Sequence, residues 1–413
     1  MPEAWGAGNR VEDSLDGDFN FFDADFQKHP HEQFRRMQKE CPFAHTNVPF
    51  DWYAVTRESD VRALLADWEL WTSNSGPGLA NAGGGVLVSV DPPEHIFDRR
   101  LINKAFSPSQ LLAMESDIVK LTNELIDRFV ERGEGDLMEL LAIPLPLIVI
   151  ARLLGLDPGL VQQMRPRADM VIHPATPPGK ITVPQQDTPA SRYFQSMLDA
   201  RRSMHSAGEP MPPDVLSTLV SAELEGRTLT DGEVLGFMFF LFIAGSQTTT
   251  QMIGNLVYRL LQNPDQMAKV QADRALVPQA VEEGLRYDAP VHGLFRTNTR
   301  DTEVHGVQIP ADTKVLCTFG AANHDPEFWD SPERFDVERP FQKTKNHYSF
   351  GKGIHYCMGA PLARLEGAVA LKAVLDRLPN LRLVSEPEVI SAYVLHGVET
   401  LPVKWDAPGE GTR

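Results

Sequence analysis

Thr230 and Glu233 stand three residues apart at the head of an apolar run, the spacing of a capping box. In that motif the hydroxyl and the carboxylate each satisfy an amide that the first helical turn leaves free. The helical pattern holds through about Leu261, and Asn263-Pro264 ends it. A helix of about 32 residues runs some 48 Å, so the rest of the chain has to be built around it. From about Leu111 to Arg132, residues Ile118, Leu121, Leu125, Ile126 and Phe129 fall on one helical face. Leu137–Leu156 reads as a mostly buried helix, and Pro278–Tyr287 as another, stopped by Asp288-Ala-Pro290. Short strands are expected at Trp52–Thr56 and within Thr297–Cys317, where Val304, Val307, Ile309 and Val315 are punctuated by Gly306 and Pro310. Asn74–Gly85, with five glycines, and His173–Pro189, with five prolines, read as loops, the second a long one over a site. The N-terminal forty residues are polar and acidic and are expected on the surface. No repeat or linker divides the chain, so residues 1–413 are expected to form one large domain, mainly α with small β-sheets.

Fifty-six acidic against thirty-nine basic residues leave a net charge of −17, which argues against nucleic-acid or anionic-membrane binding. The longest uncharged apolar runs, Leu140–Ala151 and Val234–Gly245, are twelve residues each, short of the roughly 20 a membrane helix needs. Seven acids against one base, Arg10, in the first twenty-five residues do not suit a leader peptide, and a cytoplasmic location is expected. Three scattered cysteines, Cys41, Cys317 and Cys357, suit neither a disulfide framework nor a zinc site with closely spaced ligands.

Cys357 lies in Phe350-Gly-Lys-Gly-Ile-His-Tyr-Cys-Met-Gly359. Two glycines at spacing two suit a tight turn. A helix beginning at about Cys357 or Met358 would set the thiol at the positive end of the dipole, favouring the thiolate that ligates metal. Alone, such a cysteine is more often a buried small hydrophobe. Within the long helix, Gly245 of Ala244-Gly-Ser-Gln-Thr-Thr249 costs on the order of 1 kcal/mol relative to alanine. Small residues at 244 and 245 would let a flat cofactor lie there. Thr248 stands one turn beyond Ala244, and its hydroxyl can bond the carbonyl of that residue. Glu283 and Arg286 share a helix face at i, i+3, and His95 and Arg99 do so at i, i+4. Between Arg339 and Leu365 no Asp or Glu occurs, while Arg339, Lys343, Lys345, Lys352 and Arg364 do, which suits docking of an acidic electron carrier.

The Phe350–Gly359 pattern closely resembles the haem-ligand loop of the cytochrome P-450 family, and the likeness extends from the Trp52 strand to Gly397–Val403. The resemblance implies the cytochrome P-450 fold and a haem cofactor, heme b (iron protoporphyrin IX). Cys357 would be the proximal iron ligand, Phe350 would pack on the sulfur, and Gly351, Gly353 and Gly359 would let backbone approach the porphyrin. His355, His95 and Arg296 would meet haem propionates together with Arg99, with Arg300 the nearest alternative to Arg296. Ala244 and Gly245 would lie along the cofactor in the oxygen-binding helix, and Thr248 would help deliver protons. Gln247 departs from the family, which commonly has Asp or Glu there. An amide cannot cycle as a proton donor, so Thr248 and ordered water would relay protons while Gln247 orients the water. Glu283, Arg286 and Arg339 would form a structural salt-bridge triad, with Arg334 of Pro332-Glu-Arg-Phe335 the competing arginine.

Leu79, Phe240, Ile243, Ala244, Val291, His292, Leu294, Leu395 and His396 are the substrate-pocket candidates by family position. The implied reaction is insertion of one oxygen atom from O2 into a small hydrophobic organic substrate, with electrons from a [2Fe-2S] ferredoxin and its reductase. Gln247 keeps a peroxide-driven or oxygen-independent enzyme open as the alternative. A haem-binding scaffold or sensor is a further one, and a zinc or thiol enzyme a distant one.

Overall fold

The computed structural model describes residues 19–21, 23–47, 51–79, 85–106, 108–160, 189–390 and 394–408. In chain order its first helices are α1 (Ala24–Lys28), α2 (Pro30–Glu40), α3 (Glu58–Ala66), α4 (Glu94–Ala105), α5 (Pro108–Asp127) and α6 (Pro144–Leu154). After these come α7 (Pro189–Ala207), α8 (Val215–Val220), α9 (Asp231–Gln262) and α10 (Pro264–Ala272). The last are α11 (Val277–Tyr287), α12 (Phe319–Ala322), α13 (Phe341–Thr344) and α14 (Ala360–Arg377). The main sheet has the order β1 (Phe43–Thr46), β2 (Trp52–Val55), β10 (Lys314–Thr318), β7 (Gly293–Asn298), β3 (Trp71–Thr72). β10 runs parallel to β2, with Leu316 opposite Ala54, and antiparallel to β7, with Val315 opposite Arg296. β4 (Glu134–Asp136), β11 (Arg382–Leu383) and β12 (Pro402–Lys404) make a second sheet, while β5–β6 (Glu223–Leu224, Arg227–Thr228) and β8–β9 (Thr302–Val304, Val307–Ile309) are hairpins.

The capping box forms as its spacing requires: Glu233 N donates to Thr230 Oγ1 at 3.3 Å, and Thr230 N to Glu233 Oε2 at 2.8 Å. From that start α9 runs between two apolar clusters. Its first half puts Val234, Phe237, Leu241 and Phe242 among residues of α6, α7 and α8. Its second half puts Met252, Ile253, Leu256 and Val257 among residues of α5, α11 and α14. Between the two, Ile243, Ala244, Gly245, Gln247 and Thr248 are only half-buried. Packed into core on both sides of this stretch, α9 leaves its middle only partly covered, which is where a space can adjoin it.

Three expectations change. The segment read as one helix over Leu137–Leu156 is a π turn, Met138–Ala142, followed by α6, because Pro144 lacks the amide needed to continue the first turn. The N-terminal forty residues are not all surface: Phe19, Phe21, Phe26 and Phe34 are buried with Trp52, Phe295 and Leu316, since aromatic area outweighs the acids around it. Pro189 opens α7, and the rest of the His173–Pro189 loop lies outside the described residues.

Candidate active site

The cysteine loop is a turn set by two left-handed glycines, Gly351 at φ 66° and Gly353 at φ 68°. A Cβ on Gly353 would also lie 2.7 Å from the Leu65 carbonyl oxygen. Cys357 N donates to Phe350 O at 2.9 Å, closing the loop, and Phe350 packs in the same apolar cluster as Cys357. The helix begins later than expected, at Ala360 with Gly359 as its cap, so Cys357 precedes it. Burial pushes the thiol up, opposed by the amides of Gly359 and Ala360 and by Arg99 and Arg364. The expected lowering by a helix dipole is therefore outweighed by desolvation in the chain by itself.

On α9, Thr248 Oγ1 donates to Ala244 O at 2.7 Å, the bond anticipated from their spacing. Phe240, Ile243 and Ala244 lie on the half-buried stripe that also carries Gln247. Gly245 has a different reason from the one expected: a Cβ there would meet Ile150 Cδ1 at 2.8 Å, so its smallness admits α6. Toward a cofactor it offers only backbone.

Beside the cysteine loop, basic groups gather with few acids among the described residues to match them. The His95 and His355 rings stand 4.4 Å apart, centroid to centroid, and His355 Nε2 lies 3.0 Å from Ser73 Oγ. Arg99 Nη1 donates to Tyr356 O at 2.9 Å. Arg296 is 4 % exposed, donates to the carbonyl of Phe295, and has no carboxylate within ion-pair distance among the described residues. Burial, then Arg296, His95 and Arg99, push His355 down to about 3. Lys314 adds a buried ammonium held by the carbonyls of Ser75 and Gly76, both at 3.0 Å, and burial followed by Arg296 pushes it down to about 8. Asp91 is near, but its oxygens are taken by Ser73 N at 3.0 Å and by the Thr72 hydroxyl. Arg300 is exposed, which leaves Arg296 as the arginine of this cradle. A buried guanidinium lacking its counter-charge fits a ligand that brings carboxylates, as haem does with its two propionates.

Glu283 holds Arg286 through two bonds of 2.8 Å and Arg339 at 3.3 Å, all three side chains being buried. Arg334 contributes its carbonyl oxygen to both arginines while its side chain is largely exposed. The triad arginine is thus Arg339. This reduces the expected basic patch. Arg339 is internal, Arg364 binds Glu282 at 2.5 and 3.0 Å, and Lys343 binds Asp330 at 3.1 Å. Lys345 and Lys352 remain without a carboxylate at ion-pair distance among the described residues.

Three pocket candidates belong elsewhere. Leu79 is buried in the N-terminal aromatic cluster. Val291 and Leu395 pair in an isolated bridge. Because successive residues of an extended chain point to opposite sides, His292 and His396 turn away from the face those two share. Their rings stack at 4.2 Å, and His396 Nε2 meets Asp288 Oδ1 at 3.2 Å. His31 Nε2 meets the same oxygen at 3.2 Å, His324 stacks on His31 at 3.9 Å, and Arg259 reaches both Asp288 oxygens at 2.5 and 3.1 Å. His31, Asp288 and His396 have ligand atoms within 4.8 Å of one another, but Arg259 already neutralises the carboxylate a cation would need. This cluster, Lys314 and Glu366 were not found from the sequence. Glu366 is buried, Oε2 has no partner among the described residues, and burial pushes its carboxyl well above the usual range. Alternation in β10 is the one signal that could have flagged Lys314, a lone lysine in an apolar strand; the histidines, scattered from 31 to 396, carried none.

A family model described as Cytochrome P450 matches residues 186–382. The chain is 33 % identical over 403 residues to Cytochrome P450 107B1 of Saccharopolyspora erythraea, covering 93 % of this chain and 96 % of that protein. It is 36 % identical over 339 residues to a steroid C26-monooxygenase of Mycobacterium tuberculosis, covering 79 % and 89 %. Its backbone matches the solved structure of cytochrome P450 CYP109Q5 from Chondromyces apiculatus with a TM-score of 0.84 at 32 % identity, covering 95 % and 98 %.

Proposed function

The chain belongs to the cytochrome P450 family of haem monooxygenases, and we propose that it inserts one atom of O2 into a small hydrophobic organic substrate using electrons from a separate carrier. The observation that carries this reading is the cradle of Arg296, Arg99, His95 and His355, short of negative charge and adjoining the Cys357 loop. Those four groups would hold the propionates, Cys357 would supply the thiolate ligand, and Phe350 would pack beside it. The cofactor is heme b, and thiolate-bound haem supplies the oxidising chemistry.

The chain's own residues bind, orient and manage protons. Phe240, Ile243, Ala244, Val291, Leu294 and Leu395 line a mostly apolar pocket that excludes water and selects by shape. A relative named for steroid oxidation supports a bulky apolar skeleton as the substrate class. The Thr248 hydroxyl, set by its bond to Ala244 O, passes protons with water that Gln247 orients. A [2Fe-2S] ferredoxin, served by its reductase, docks where Lys345 and Lys352 lie near the cysteine loop.

An optical spin-state titration of purified protein against hydrophobic compounds tests the reading. A low- to high-spin shift with one chemical class is expected, and no haem band after haem supplementation would overturn it. Gln247 specifically favours a second reading, a peroxide-driven or oxygen-independent reaction. NADH consumption that requires both substrate and ferredoxin excludes it.

A further inference from the structure

Gln247, Gln251, Asn255 and Arg259 recur every fourth residue along α9, a polar row on a helix whose neighbours Met252, Ile253, Leu256 and Val257 lie in apolar core. Residues four apart stack on one face, so the row runs from beside Thr248 to the histidine cluster, about 18 Å at the helical rise. Its parts connect. Asn255 Nδ2 donates to His396 O at 3.2 Å, His396 meets Asp288, and Arg259 grips Asp288 from the end of the row. Gly397 lies against the middle: a methyl group there would overlap Gln251 Oε1 and come within 2.9 Å of Asn255 Oδ1. Gln251 is 6 % exposed and its Oε1 accepts no hydrogen bond among the described residues, nor does His292 Nε2 have a partner. Buried polar atoms without protein partners are where internal water binds.

We infer that Gln251 and Asn255 hold ordered water along α9 and that this water carries protons from the His31–Asp288–His396 cluster to the Thr248 hydroxyl. The inference rests on the monooxygenase reading above. It answers the loss of an acid at 247, because the exchangeable groups stand at the far end of the row and the amides need only hold water in line. His31, 19 % exposed on its side chain, is the outer end. Each proton passed inward is replaced from solvent at His31, so no group on the route ends a cycle with a changed charge. Two electrons per turnover come from the external carrier. Asp288 stays ionised because Arg259, His31 and His396 all bind it. His292 and His324 stay neutral beside them, since burial holds both well below the usual histidine range.

A crystal structure of the holoenzyme and the variant Gln251→Leu test this. The expected wild-type density shows water on Gln251 Oε1 with further water toward Thr248, and the variant lacks it. In the variant, haem content and the substrate-induced spin shift hold, while peroxide released per NADH oxidised rises roughly tenfold. Gln251→Glu restores coupling. A dry Gln251 in the wild type, or unchanged coupling in a correctly loaded Gln251→Leu, overturns the inference. The wild-type density decides even if the variant does not fold. Loss of the haem band in the wild type would overturn the functional reading instead, so the two failures are distinguishable.

Discussion

Two charge clusters in the molecule are built on opposite terms. In one, Glu283 is bonded to Arg286 and Arg339, and the arginines' remaining donors find the carbonyls of Asn323, Asp330, Pro332 and Arg334. In the other, Arg296 and Arg99 stand beside His95 and His355, whose rings burial keeps neutral; Asp91 lies near but is bound to Thr72 and Ser73, and among the described residues no carboxylate is within ion-pair distance of either arginine. The first is complete in the chain itself. The second is complete only with an anionic ligand. Buried charge that is fully partnered marks architecture, and buried charge left short marks a binding site.

The largest contrast should come from Glu283→Gln. It leaves two buried guanidiniums without their shared counter-charge, and a loss of about 3–5 kcal/mol is expected in denaturant unfolding. Arg296→Leu should act with the opposite sign on the haem-free protein, leaving its unfolding midpoint equal or higher, while haem is lost roughly ten- to a hundredfold faster for want of a charged hydrogen bond worth about 1.5–3 kcal/mol. Equal destabilisation by both changes would erase the distinction between the clusters.

The histidine cluster gives an intermediate case, buried rings that desolvation holds in the neutral form. Burial lowers His31, His292 and His324 below their unfolded value, so the unfolded chain takes up protons first as pH falls below about 6.5. The contribution of these histidines should be flat above that pH and should fall below it, by up to about 1.4 kcal/mol per pH unit for each. His324→Gln should flatten the acid limb measured by thermal unfolding. Glu366 should show the reverse dependence. Its raised folded value means that stability falls as pH rises above the ordinary glutamate range. Glu366→Gln should therefore raise the unfolding midpoint at pH 8 and leave it unchanged at pH 4.

Local chemistry was legible from residue order alone. The capping box at Thr230 and the Thr248–Ala244 bond rest on spacing, the choice of Arg339 over Arg334 rests on the family resemblance, and the structure has each. The errors share a different cause. His292 and His396 were assigned to the pocket by family position, but both belong to a cluster centred on Asp288 and completed by His31, 257 residues before it. Leu79 and the N-terminal phenylalanines meet in a core assembled from distant segments. Gly245 was read for the cofactor when Ile150 of α6 dictates it. Spacing reports what a helix or loop does to itself, and it carries no record of which remote segment will pack there.

The central claim is that the unmatched cations beside Cys357 are a site for two carboxylates. Titrating the haem-free protein with haem and with its dimethyl ester, in which both propionates are masked, tests it most directly. Tight binding of haem and much weaker binding of the ester are predicted. Equal affinity for the two would contradict the account.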